Sequence, residues 1–505
     1  MKNPTSLLWF RTWPVRRLST AALGPASSQA DASQPQTEDR SLYRRLSALG
    51  AYKRSSAWRT LERYVWEGGI VEKAQLQRYV NLLRKHGMFR HALEVLDWMG
   101  RRGFNYSRRD YAMQIYLRSK TQGIDVAEDY FSGLSSKAKN AMTYRALLKS
   151  YCELNMVDRA SDLFMEMDRL GFASTCMAFH DLMTLFRTVG QPEKVPVLVD
   201  EMLERNIPPT TITYNLWMQS YASLNDIGGV ERVMGELEKD GERNCNWTTY
   251  SYLATIYVKA GEYNKARAAL KKLERKMKPF ELEAFEYLIK LNAEMGDLGE
   301  VKRLWDFRLS QFPGPTNLNY LLMFRVLVRL NDIGGLKECF EYWESRCNNY
   351  DLKLVNIVIC AFLGHSMLGD AQWVFDVSVR RSSGRMVRAR EMFMGFFLNR
   401  GRMDLALGHM EAAIPCIAGK WRPDPELIVN FFGYFEEQKD VDGAERFCGM
   451  LKKVHRLDSK AYESLVWVYI SAGRTQITSE MHRRMEEDGI RASPQVENLL
   501  QRVCT

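Results

Sequence analysis

Paired cysteines are missing from this 505-residue chain. Its nine Cys stand at 152, 176, 245, 339, 347, 360, 416, 448 and 504, with no C-x-x-C and one left over from any pairing. They read as reduced, mostly core thiols in a matrix-like compartment, and they give no zinc knuckle. The seven His show no H-x-x-x-H, so no metal ligand set is expected. P-loop, G-x-G-x-x-G, H-E-x-x-H and G-x-S-x-G are all absent. The reading is therefore no enzyme, no cofactor and no small-molecule substrate. No apolar run approaches the roughly 18 residues a membrane span needs. The stretch LKLVNIVICAFLGHSMLGDA from Leu352 carries polar residues at helical spacing and reads as amphipathic, so no membrane is expected as a partner. Alternating apolar runs between turn dipeptides, the mark of strands, are also missing.

Acids are missing from the first 30 residues, where Lys2, Arg11, Arg16 and Arg17 stand among Ser, Thr and Ala and no acid precedes Asp31. With LLWFRTW mixing bulky apolar groups and Arg, this is the profile of a transit peptide, here for the mitochondrial matrix, with the chloroplast stroma as alternative. The formal net charge is +10, and losing those four cations leaves +6. A residual basic excess suits a polyanionic partner.

What is present is a repeat. LNDIGG occurs at Leu224–Gly229 and again at Leu330–Gly335. Blocks starting at Ala141, Cys176, Thr211 and Trp247 align without gaps. Their fourth residues are Tyr144, Phe179, Tyr214 and Tyr250, and their fifteenth are Asn155, Gly190, Asn225 and Gly261. Small or β-branched residues stand twentieth (Ala160, Val195, Val230, Ala266) and Met or Leu twenty-seventh (Met167, Met202, Leu237, Leu273). The frame extends over 73–107, 108–140, 141–175, 176–210, 211–246, 247–281, 282–316, 317–351, 352–386, 387–424, 425–458 and 459–493.

Each repeat has the pattern of a helical hairpin. Tyr144, Leu147, Leu148 and Tyr151 line one face of a first helix, and Ala160, Leu163, Phe164 and Met167 line one face of a second. Between them stands the Gly or Asn that tolerates a left-handed turn. Asp226, Asp297 and Asp332 follow as helix caps, and Gly103, Gly171, Gly241 and Gly489 end second helices. In LNDIGG this makes Asn225 and Asn331 the turn residues. It puts Gly228, Gly229, Gly334 and Gly335 in the first turn of the second helix, where the glycine penalty is reduced. One hairpin cannot bury its apolar face alone, so neighbours must stack.

The segments TITYN, VKAGEYNKA, ASDLFMEMDRLG and ALEVLDWMGRRGF resemble the pentatricopeptide repeat family, P class, of plant organelles. The resemblance covers 73–493 and implies an all-α fold: a right-handed superhelical α-solenoid of about twelve helix-turn-helix repeats of ~35 residues. Residues 1–30 are then the transit peptide, 31–72 a linker with N-terminal capping helices, and 494–505 a C-terminal tail. No H-x-E…C-x-x-C deaminase set follows the array.

The resemblance also implies single-stranded RNA on the concave face, one base per repeat, read by the fifth and last residues. Asn215 with Asn246 looks like a pyrimidine reader, and Asn356 with Met386 keeps half of such a pair. The remaining pairs depart from the pattern: Arg145 with Thr175, His180 with Thr210, Ser251 with Glu281, Glu286 with Thr316, and Leu321, Glu391 and Val429 each with an Asp. One plausible pair in twelve does not define a target.

Phosphate contact is expected instead from Arg380, Arg381, Arg385, Arg388 and Arg390, in RRSSGRMVRAR at a repeat junction. Lys271, Lys272, Arg275, Lys276 and Lys278 form a second basic run, which reads as a solvated outer face, and Arg101, Arg102, Arg108 and Arg109 flank a third junction. The fourth-position aromatics read as inter-repeat core. The resulting expectation is a non-catalytic, RNA-associated structural component of an organellar ribonucleoprotein. Relatives of this kind sit in the plant mitochondrial ribosome, so ribosomal RNA and ribosomal proteins are the expected partners. A sequence-specific factor on messenger RNA and a protein-protein scaffold are the alternatives.

Overall fold

A computed structural model describes residues 37–49, 56–241, 245–278, 281–312, 314–382, 386–416, 424–474 and 478–503. The leader, residues 1–30, lies outside them, and so does Arg385. The described residues form 27 α-helices and one 3-10 turn, with no strand.

Each helical hairpin turns on one residue with positive φ. These are Gly87, Gly123, Asn155, Gly190, Asn225, Gly261, Gly296, Asn331, Ser366, Gly401, Lys439 and Gly473. The non-glycine members lie close to the left-handed well, for example Asn225 at 58° and Asn331 at 59°. Asn is the side chain that adopts this conformation at least cost, which explains its exchange with Gly at the fifteenth position. After the turn Asp226 and Asp332 cap as expected, accepting from Gly229 N at 2.7 Å and Gly335 N at 3.1 Å. Asp297 does the same for Glu300 N at 3.2 Å.

The chain divides into two compact blocks at Leu291/Asn292. In the first, Arg108–Thr121 packs on Ala141–Glu153, which packs on Cys176–Thr188, then Thr211–Ser223, then Trp247–Lys259. Each of these is the first helix of its repeat. The second helices rest on the first helix of their own repeat and on that of the next: Val157–Arg169 lies against Ala141–Glu153 and Cys176–Thr188. First helices therefore form a close inner row and second helices an outer one. The fourth-position aromatics Tyr144, Phe179, Tyr214 and Tyr250 are buried between the rows. Phe179 meets Phe164 edge-on at 5.0 Å, a contact between consecutive repeats.

The array starts on an extra hairpin. Thr37–Ser47 packs on Lys73–Lys85, and Ala57–Trp66 on Phe89–Arg101. Glu94 Oε2 accepts from Ala57 N at 2.7 Å, so a side chain of the first repeat caps this helix.

In the second block the inner row runs Asn317–Arg329, Leu352–Gly364, Val387–Leu398, Pro425–Gln438 and Ser459–Ser471. The row does not end at residue 493. Pro494–Val503 is one more helix packed on Ser459–Ser471, with Val496 and Leu500 fully buried. The turns of this block are 35 residues apart from Gly296 to Gly401, and Lys439 follows after 38. The extra length falls after the 3-10 turn Ile414–Cys416, in the segment leading to Pro425.

Candidate functional site

The inner row carries the fifth-position side chains, and five of the twelve bond to neighbouring groups. Gln77 Nε2 donates to both oxygens of Asp110, at 2.9 and 3.0 Å. Arg145 Nε donates to Asp181 Oδ2 at 3.0 Å, and His180 Nε2 lies 2.7 Å from Thr213 Oγ1. In all three the partner sits on the first helix of the following repeat. Burial raises the Asp181 pKa, and Arg145 opposes that shift. Burial, then the charge of Arg145, takes His180 down to about 4, so its imidazole is neutral. Ser251 donates to its own helix at Thr248 O, and Glu391 accepts from Arg388 at 2.9 Å. Val429 is 65% exposed and Leu321 half-buried.

Asn215 differs. It is only 6% exposed and its Oδ1 has no hydrogen-bond partner. Thr249, at the position that Thr213 holds against His180, is fully buried with Oγ1 likewise unpartnered. Asn356 is half-buried, with no hydrogen bond to any described residue.

The last residue of most repeats has a local place in the helix that follows. Ser107, Asn140, Thr175, Thr210, Asn246, Thr316, Asp351, Met386, Asp424 and Asp458 are the N-cap residues of the next first helix. Ser107 Oγ accepts from Asp110 N at 3.3 Å, Asp351 Oδ1 from Lys353 N at 2.9 Å and Asp458 Oδ1 from Ala461 N at 2.9 Å. Ser, Asn, Thr and Asp are the side chains that perform this task. Capping therefore accounts for the residue types at the second reading position without any base. Asn246 Oδ1 is taken by Thr248 N at 3.0 Å and Thr249 N at 3.2 Å, which leaves only its amide donors for a ligand.

The arginine run at 380–390 is divided rather than gathered. Arg380 is exposed at the end of Leu368–Arg381. Arg381 donates to Glu344 O at 2.8 Å and pairs with the Glu344 carboxylate at 3.2 Å. Arg388 pairs with Glu391, and Arg390 lies half-buried over the Phe375 ring at 5.1 Å. In the other basic runs, Lys272 pairs with Glu238 at 3.0 Å and Arg102 with Glu62 at 2.6 Å, while Arg101 stacks on Trp58. Residue types in sequence do not reveal the partners of Lys272, Arg381 and Arg102, because these lie 34, 37 and 40 residues away. The cross-repeat ties were equally hidden, although a search for polar pairs one period apart finds Gln77–Asp110 and His180–Thr213, each 33 residues apart.

A family model described as the PPR repeat matches residues 142–172, 212–242 and 248–276, and one described as the pentatricopeptide repeat domain matches 162–223. A mitochondrial pentatricopeptide repeat-containing protein of Arabidopsis thaliana is 39% identical over 485 residues, 96% of each chain. A second mitochondrial one from the same plant is 39% identical over 93% of this chain and 87% of its own. The Arabidopsis large ribosomal subunit protein mL101 is 35% identical over 84% of this chain and 87% of its own. The first two relatives are mitochondrial, the destination expected from residues 1–30.

Proposed function

We propose that this mitochondrial chain, which belongs to the pentatricopeptide repeat family, is a fixed component of a ribonucleoprotein, the ribosome above all, and holds folded RNA by shape and charge. The observation that carries this reading is the engagement of the reading positions. Gln77, Arg145 and His180 tie one first helix to the next, and most last-position side chains, such as Ser107, Asn246 and Asp351, are spent on caps. A side chain committed to a buried neighbour cannot present its polar edge to a base without leaving that neighbour unpaired. What remains for RNA is the shape of the helical rows and the positive balance, which give affinity without sequence information. Similarity to mL101 supports the ribosomal setting. Ribosomal RNA and ribosomal proteins are the partners in this reading, and no catalytic step is assigned to the chain.

A second reading, a sequence-specific single-stranded RNA factor, is favoured by one observation. Asn215 keeps an unpartnered Oδ1, and Asn246 beside it in the frame keeps its amide donors. Ultraviolet crosslinking with sequencing of the attached RNA, run beside sucrose-gradient sedimentation, separates the two. Cosedimentation with the ribosome and crosslinks to structured ribosomal RNA are expected. Light-fraction sedimentation with one footprint on one transcript, abolished by Asn215→Ala, would overturn the structural reading. A chain without RNA crosslinks would be a protein scaffold.

A further inference from the structure

Arg187 stands near the end of the first helix Cys176–Thr188, on the inner row, and is half-buried. Its guanidinium makes no hydrogen bond or ion pair with any described residue, and Nε is fully buried without a partner. Burial lowers its pKa, and the one group acting against that shift is the phenol of Tyr252. No carboxylate acts on it. Folded proteins seldom leave a buried cation unpaired, because its lost hydration goes uncompensated.

Tyr252 belongs to the repeat two further along, on Trp247–Lys259, and its phenol is within electrostatic range of Arg187, with the Thr211–Ser223 helix between their two helices in the row. That intervening helix carries Asn215 and no charged residue, and Trp247–Lys259 carries only Lys259. Tyr252 is within electrostatic reach of Tyr287 on Leu282–Glu294, whose ring lies 6.1 Å from Trp247. Both phenols are half-buried, and neither hydroxyl has a hydrogen-bond partner among the described residues. The acids that act on Tyr287 are Glu283 and Glu286 on its own helix.

An unpaired guanidinium and two free phenol hydroxyls form a set of donors without an acceptor. The guanidinium fork matches two oxygens of a phosphate, and a phenol adds one further donor. The aromatic faces beside them suit a stacked base. We propose that Arg187, with the Tyr252 and Tyr287 hydroxyls, seats one phosphodiester of a single-stranded RNA segment crossing the repeat that carries Asn215. The inference rests on the RNA-associated role above and names where that RNA is held.

Full-length chain titrated with labelled oligouridylate and oligoadenylate across a salt series tests it. Arg187→Gln is expected to lower the slope of log affinity against log salt by about 0.7, one phosphate contact on a single strand, equally for both oligomers. Arg187→Lys keeps the charge and restores the slope. Tyr252→Phe weakens binding about tenfold through one hydrogen bond to a charged group and leaves the slope unchanged. Melting temperatures at or above that of the parent chain for Arg187→Gln show that the loss is not unfolding. An unchanged slope in Arg187→Gln on a chain that still binds RNA overturns the seat and leaves the RNA role standing. A parent chain that binds neither RNA oligomer nor ribosome overturns both.

Discussion

The two glycines of LNDIGG should respond in opposite directions to the same substitution. Gly228 and Gly229 are the second and third residues of Ile227–Lys239, and neither needs a positive φ. A methyl at Gly228 would meet Asp226 Oδ1 at 3.4 Å and Arg232 Nη1 at 3.7 Å, ordinary contacts. Gly228→Ala therefore gains part of the helix preference of Ala over Gly, about 0.5 kcal/mol of a possible ~1 in this first turn. A methyl at Gly229 would fall 2.5 Å from the Tyr221 ring and 2.6 Å from Asp226 Oδ2. Tyr221 carries Arg232 over one face of its ring, which limits how far the ring can move. Displacing the Asp226 carboxylate costs its cap, about 1 kcal/mol, and pressing on the ring costs about 1–3 more. After the propensity gain, Gly229→Ala should lose about 2 kcal/mol. Stacked repeats open locally, so the measurement is hydrogen exchange of the Ile227–Lys239 amides. A loss of 2 kcal/mol lowers protection there roughly thirtyfold. Gly334→Ala and Gly335→Ala repeat the contrast, because a methyl at Gly334 meets nothing and one at Gly335 meets the Asp332 carboxylate. Equal protection in Gly229→Ala and the parent chain would refute the reasoning, since the cap and the ring would then yield without cost.

Two further outcomes follow from the inner rows. Arg145→Ala leaves Asp181 largely buried without its cation and should cost about 2 kcal/mol, less than a fully buried pair because Arg145 is one-third exposed; adding Asp181→Asn should recover part of the loss in a denaturant titration. Burial, then the charge of Arg390, holds His409 down to about 4, where it stacks on Phe393 at 4.9 Å. Its folded pKa lies below the ordinary 6.5, so the contribution is complete above pH 6.5 and is lost as pH falls toward 4. Melting temperatures between those limits should fall less steeply in His409→Phe than in the parent chain.

The helical architecture was legible because its signals are local. An Asn or Gly at each turn, an Asp after it and apolar residues at helical spacing act within one or two turns of chain, and Asn155, Asn225 and Asp332 stand in the structure where that chemistry requires. The candidate site was less legible because its chemistry is relational. Arg145 and His180 look like misplaced readers in a row of letters, but they are paired with Asp181 and Thr213 one repeat away. Arg381 and Arg388 look like a basic cluster, but Glu344 and Glu391 meet them. Arg187 stands out only in the fold, where its Nε is buried without a partner. Residues 494–505 read as a tail because one short amphipathic segment lacks a period, whereas burial of Val496 and Leu500 makes Pro494–Val503 one more helix of the row.

The capping residues give the array a particular kind of interchangeability. The side chain that starts each first helix belongs to the repeat before it, and Ser107, Asn140, Thr210, Asp351 and Asp458 all perform the same task. Removing or duplicating a whole period between such residues brings one competent cap to the place of another, so the joint survives the recombination. A lineage can therefore lengthen or shorten such a chain by complete repeats without first evolving a new junction. The junction at Met386 breaks this equivalence, because its thioether side chain makes no cap bond and its backbone is left-handed. Exchanges that move it would carry an unsatisfied helix start to a new neighbour, and the repeats around it should be the ones that change number least.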